Sequence, residues 1–69
     1  MKISARNILK GKVVKVRRGA VNAEVIVQLP GGDQIFSIIT NESVKNLGLK
    51  AGKDAYVIIK ASNVMVGVD

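Results

Sequence analysis

The chain is 69 residues long, has neither cysteine nor histidine, and carries a formal net charge of +6. That length sets one domain over residues 1–69 with a marginal core, because a domain this small buries only about 60% of the surface its unfolded chain exposes. The composition excludes disulfides and the usual zinc and copper ligands, which leaves association between chains as the expected source of stability.

The charge is unevenly spread. Lys2, Arg6, Lys10, Lys12, Lys15, Arg17 and Arg18 all precede the first carboxylate, Glu24, whereas from residue 19 onward four lysines face five acids. A basic N-terminal segment on a near-neutral body calls for an anionic partner or a positive surface strip. Met1-Lys2-Ile3 runs directly into the polar Ser4-Ala5-Arg6-Asn7. Nothing there resembles a signal peptide, and no stretch approaches the roughly 20 apolar residues that span a bilayer. A soluble, cytoplasmic protein is expected.

The first predicted strand is Ile8 to Arg18, whose imperfect alternation and Gly11 suggest a bulge or bend. The clearest strand follows, Val21 to Leu29, with Val21, Ala23, Val25, Val27 and Leu29 on one face and mostly polar residues on the other. Pro30-Gly31-Gly32-Asp33 has turn chemistry, so Gln34 to Thr40 completes a hairpin, with Phe36 expected in the core. One short helix comes next, capped by Thr40 or Asn41, carrying Val44 and Leu47 on one face and ending at Gly48. Asp54 to Lys60 is a fourth strand; Ala61-Ser62-Asn63 breaks it, and Val64 to Val68 makes a fifth. The fold class is therefore all-β: a small, curved Greek-key barrel of the OB type, about five strands with the helix between the third and fourth.

Catalysis lacks its usual groups. Without histidine or cysteine the common general base and the thiol nucleophile are missing, and Glu24, Asp33, Glu42, Asp54 and Asp69 are too scattered to form a carboxylate pair. No enzymatic activity is expected. Two segments near the termini carry a different chemistry. Ser4 and Arg6 lie two residues apart across a small Ala5, and Lys60 and Ser62 repeat the arrangement in reverse across Ala61. Extended backbone projects positions i and i+2 to one face. If the segments meet, within a barrel or across subunits, they offer two cations, two hydroxyls and several amides. A deprotonated tetrahedral dianion, which has only acceptors, requires such donors. Taken alone, the same residues also fit solvated strand charges and ordinary surface serines. Lys10, Lys12, Lys15, Arg17 and Arg18 read as a solvated strand face, and Gly31-Gly32 as a plain hairpin turn.

Five blocks together are more specific: Ser4-Ala5-Arg6-Asn7, Gly19-Ala20-Val21-Asn22-Ala23-Glu24-Val25, Ile39-Thr40-Asn41-Glu42-Ser43-Val44, Leu47-Gly48-Leu49-Lys50-Ala51-Gly52 and Ile59-Lys60-Ala61-Ser62-Asn63-Val64-Met65. In order and spacing they resemble the molbindin (Mop-like) family of molybdenum-binding proteins, with its TOBE-type domain. The resemblance implies an OB-like barrel that assembles into a hexamer, a trimer of dimers, by exchanging strands between partners. It also implies molybdate or tungstate held at subunit interfaces in two classes of site. One class, by analogy, uses Ser4, Ala5, Arg6, Lys60, Ala61 and Ser62, with backbone from the turn Ala20-Val21-Asn22; the second lies near symmetry axes. No direct protein–metal bond is implied, since the metal arrives as its oxyanion, and molybdopterin is a secondary candidate ligand. The function expected on this basis is intracellular storage or buffering of the oxyanion. The alternative is an OB-type nucleic-acid module using the basic N-terminal strand. Such modules stack bases on aromatic side chains, and Phe36 and Tyr56 are the only aromatics present.

Overall fold

The structure, a computed structural model, describes all of residues 1–69. Four strands, β1 (Asn7–Arg18), β2 (Asn22–Gln28), β3 (Gln34–Thr40) and β4 (Asp54–Ile59), form one antiparallel sheet in the order β3-β2-β1-β4. A helix, α1 (Asn41–Leu47), joins β3 to β4, and a single 3-10 turn covers Ala61–Asn63. No helix is long and apolar enough to cross a membrane.

The sheet curls because β1 serves two neighbours in succession. Its first half, Asn7 to Lys12, pairs with Ile59 to Asp54 of β4, and Lys12 to Arg18 pairs with Gln28 to Ala23 of β2. Between them lies a bulge: Val13 faces Val27 and Lys15 faces Ile26, so Val14 is the extra residue. The bulge explains the imperfect alternation. It keeps Val13 and Val16 pointing inward while Lys12, Lys15 and Arg17 stay on the outer face. Gly11, expected at a bulge, has another reason to lack a side chain. A Cβ there would lie 2.6 Å from the Gln28 carbonyl oxygen and 2.7 Å from Val27 Cγ1, so only glycine lets the end of β2 cross so closely.

The core consists of Val13, Ala23, Val25, Val27 and Val44, with Val16, Ile39, Leu49, Ala55 and Val57 packed around it. α1 closes one end of the sheet, bringing Val44 into this cluster. The Thr40 hydroxyl oxygen accepts the Ser43 N–H at 3.0 Å, and Gly48, in the left-handed region at φ 63°, ends the helix as expected.

Three expectations need correction. Val64 to Val68 forms no strand; Met65, Val66 and Val68 are each more than 90% exposed. Without it β3 and β4 are both outer strands, and the barrel stays a curled half-barrel. An apolar cleft of about 450 Å³, lined in part by Val25, Val27, Ile39, Ala55 and Val57, opens between them. Val21 precedes β2 and is 70% exposed, so the buried face begins at Ala23. Phe36 is 63% exposed: in β3 it is Ile35, Ser37 and Ile39 that turn inward, and Phe36 shares the outer face with Ile38. The strand is apolar on both sides at these positions, so alternation could not choose between its faces.

Candidate oxyanion site

The last registered pair of β1 and β4 is Asn7 with Ile59, and the Asn7 side chain reinforces it by donating from Nδ2 to the Ile59 carbonyl at 3.2 Å. Ser4-Ala5-Arg6 and Lys60-Ala61-Ser62 therefore leave the same end of the sheet from neighbouring strands, bringing the two predicted segments to one edge. Arg6 and Lys60 directly flank that last pair. Both are exposed, and neither forms an ion pair; the one salt bridge, Lys12 to Asp54 at 3.4 Å, lies at the far end of the β1–β4 ladder.

The backbone beyond Lys60 differs from the extended form expected. Asn63 N–H donates to the Lys60 carbonyl and Val64 N–H to the Ala61 carbonyl, at 2.9 and 3.2 Å, which winds Ala61–Asn63 into the 3-10 turn. Lys60 and Ser62 are thus not related by strand alternation. The turn supplies something else in exchange: the N–H groups of Ala61 and Ser62 are its first two, and neither has a hydrogen-bond acceptor within the chain.

Ala20-Val21-Asn22, the remaining predicted contributor, connects β1 to β2. Two of its carbonyls are engaged: Gly19 N–H donates to the Asn22 carbonyl at 2.7 Å, and Asn41 N–H to that of Val21 at 2.8 Å, while the Ala20 carbonyl accepts nothing within the chain. The Gly19 carbonyl accepts from Asn41 Nδ2 at 2.9 Å. The N–H groups of Ala20 and Val21 have no acceptor within the chain. This turn stands at the other end of β1 from Arg6, with the 12 residues of the strand between them. The chain therefore carries two donor clusters rather than one assembled site. One holds both cations and both serine hydroxyls, and the other holds backbone amides alone. Of the two candidate helix caps, Thr40 and Asn41, Thr40 takes the role, and the reach of Asn41 to Gly19 is visible only in the fold.

No group of three or more histidine, cysteine, aspartate or glutamate side chains comes together. The donors present suit an anion with acceptor oxygens, and the cations beside them give it charge-assisted hydrogen bonds.

Comparison with known proteins agrees with this chemistry. Residues 3–66 match the family model described as the TOBE domain. Molybdenum-pterin-binding protein 3 of Clostridium pasteurianum is 50% identical over 66 residues, 96% of this chain and 97% of that one. Among solved structures, MopII from Clostridium pasteurianum in an apo form superimposes with a TM-score of 0.92 at 46% identity, covering 97% of this chain and all of the other. The cytoplasmic molybdate-binding protein ModG, with molybdate bound, matches with a TM-score of 0.96 at 54% identity; all of this chain covers 49% of ModG.

Proposed function

The chain belongs to the TOBE-domain family, among relatives of the molybdenum-pterin-binding type, and from that premise we propose that it binds molybdate or tungstate inside the cell, as a store or buffer without catalytic activity. The observation that carries this reading is the pairing of Arg6 and Lys60 at one end of the sheet. They are two exposed cations without a carboxylate partner, beside the unpaired amides of Ala61 and Ser62. Such a cluster repels itself when empty and is relieved by a dianion.

The site is completed between chains. Arg6 and Lys60 with Ser4, Ala5, Ala61 and Ser62 come from one copy, and the Ala20-Val21-Asn22 turn comes from another. Two features of the chain support association. Only five residues are buried, which is a small core for a domain without disulfides. The free edges of β3 and β4, the cleft between them and the exposed Val64–Val68 segment leave the half-barrel needing another strand. We take the assembly to be a hexamer. Sedimentation equilibrium should give a closed oligomer at micromolar protein, and native mass spectrometry should show it taking up molybdate in a fixed ratio. A monomer that stays monomeric with molybdate present would remove the interface site.

Isothermal titration with molybdate against a tenfold excess of sulfate tests the ligand. A heat of binding that survives the sulfate supports the reading. Indifference to molybdate, combined with salt-sensitive retention on single-stranded DNA, would favour the nucleic-acid alternative. The exposure of Phe36 removes burial as an argument against stacking, and leaves the scarcity of aromatics as the argument that counts.

A further inference from the structure

We propose that Asn41 is the positioning residue of the oxyanion site: it holds the Gly19 and Val21 carbonyls toward the protein and leaves the Ala20 and Val21 N–H groups free for the anion. This inference rests on the proposed function above and adds to it a residue that lies outside the donor clusters.

An oxyanion is attracted by an N–H and repelled by a carbonyl oxygen, so a backbone turn serves as an anion contact only if its peptide groups are held one way round. Here the holding is done largely by one residue. Asn41 N–H donates to the Val21 carbonyl at 2.8 Å, and Asn41 Nδ2 donates to the Gly19 carbonyl at 2.9 Å. The Asn22 carbonyl is taken by Gly19 N–H across the turn at 2.7 Å, and of the four only that of Ala20 accepts nothing. In a tight two-residue connection the Gly19 carbonyl would ordinarily accept a bond from within the turn. Asn41 takes it instead, from 22 residues away in sequence.

The orientation of the Asn41 amide follows from its surroundings. With the group reversed, its oxygen would face the Gly19 carbonyl oxygen at hydrogen-bonding distance, which is repulsive. In the orientation found, Asn41 Oδ1 is buried without a donor. The fold thus accepts an unmet acceptor in order to place the Nδ2 donor on Gly19. Asn41 begins α1 directly after the Thr40 cap, so the turn is tied to a helix end that Thr40 and Val44 already fix. Gly19 itself tolerates little alternative, since a Cβ would sit 3.0 Å from the Asn22 carbonyl oxygen.

The test uses the full chain and sodium molybdate as the probe. The parent, Asn41→Ala and Asn41→Asp are titrated calorimetrically, their empty forms are melted, and amide resonances of Ala20 and Val21 are followed by NMR. Asn41→Ala keeps the main-chain bond to Val21 but loses the Gly19 bond, and should weaken molybdate binding about tenfold. Asn41→Asp preserves the shape, presents an oxygen to the Gly19 carbonyl and adds a negative charge, and should weaken binding further. The empty forms should melt close to the parent, and the Ala20 and Val21 amide protons should move downfield with molybdate in the parent and less in either variant. A parent that binds while Asn41→Ala binds equally tightly overturns the inference and leaves the proposed function standing. So do Ala20 and Val21 amides in the parent that ignore the anion, a readout that needs no variant to fold. A parent that takes up no molybdate overturns both.

Discussion

Two sets of cations occupy this small surface, and they are treated differently by the fold. Along the outer face of β1, Lys12 pairs with Asp54, Lys10 stands 6.0 Å from the Tyr56 ring centroid, and Arg17 lies in register with Glu24. Lys12 has a counter-charge and Lys10 an aromatic neighbour, whereas Arg17 forms no ion pair with Glu24 and Lys15 faces Ile26. At the end of the sheet, Arg6 and Lys60 have no counter-charge, and the groups around them are donors like themselves. A count of charges cannot separate the two sets. What sets Arg6 and Lys60 apart is that they flank one strand pair beside free backbone amides and have no counter-charge in the chain, so an external anion has a place there.

The widest gap between the sets should appear on substitution. Arg6→Ala or Lys60→Ala should each remove a charge-assisted hydrogen bond worth about 1.5–3 kcal/mol, weakening molybdate binding at least tenfold, and the double variant should bind more weakly still. Calorimetric titration reads this directly. The empty oligomer of either variant should be no less stable than the parent, because a self-repelling pair has lost one member. Affinity that falls equally for Lys12→Ala and Lys15→Ala would show that the anion senses only net charge, and the distinction would collapse.

A thermal melt sharpens the same contrast. Ligand at about 100 times its dissociation constant stabilises the folded state by ~2.7 kcal/mol. Molybdate should therefore raise the melting temperature of the parent clearly, that of Lys15→Ala almost as much, and that of Arg6→Ala far less. Smallest of all should be the effect of Lys12→Ala on the empty protein. Its ion pair with Asp54 is exposed on both sides and worth at most about 1 kcal/mol, fading as salt is added. A large loss of stability there, measured by denaturant unfolding, would mean that the outer row is not simply solvated.

Much of this was readable from the residues in order. β2 and β3, the turn between them, the helix with its threonine cap and glycine stop, and β4 all follow from local rules of alternation and capping that need no distant partner. The two terminal segments could be singled out as donor-rich; the resemblance added the Ala20-Val21-Asn22 turn, which one chain leaves at the other end of β1. What resisted was whatever depends on a contact far along the chain. Gly11 is set by the crossing of β2, Asn41 by the carbonyl of Gly19, and Phe36 by a strand whose two faces are both apolar. Val64 to Val68 has a strand's composition but pairs with neither free edge of its own chain. Composition says that a segment can be a strand; it does not say which molecule provides the other side.

The extra residue in β1 has a consequence for how this chain can vary. Val14 works as a reading-frame marker between two halves of one strand, each of which keeps its own phase of inside and outside. Pairing it with Ile26 as an ordinary strand residue would shift everything from Lys15 onward by one position, sending Lys15 and Arg17 toward the valine cluster and Val16 into water. The damage would reach the turn that carries Ala20 and Val21, although that turn itself would be unaltered in sequence. Substitutions along β1 should be tolerated one at a time on the outer face, while changes of length anywhere but at Val14 should not. The strand is in this sense a ruler with a fixed zero, and chains descended from this one can change its markings more easily than its divisions.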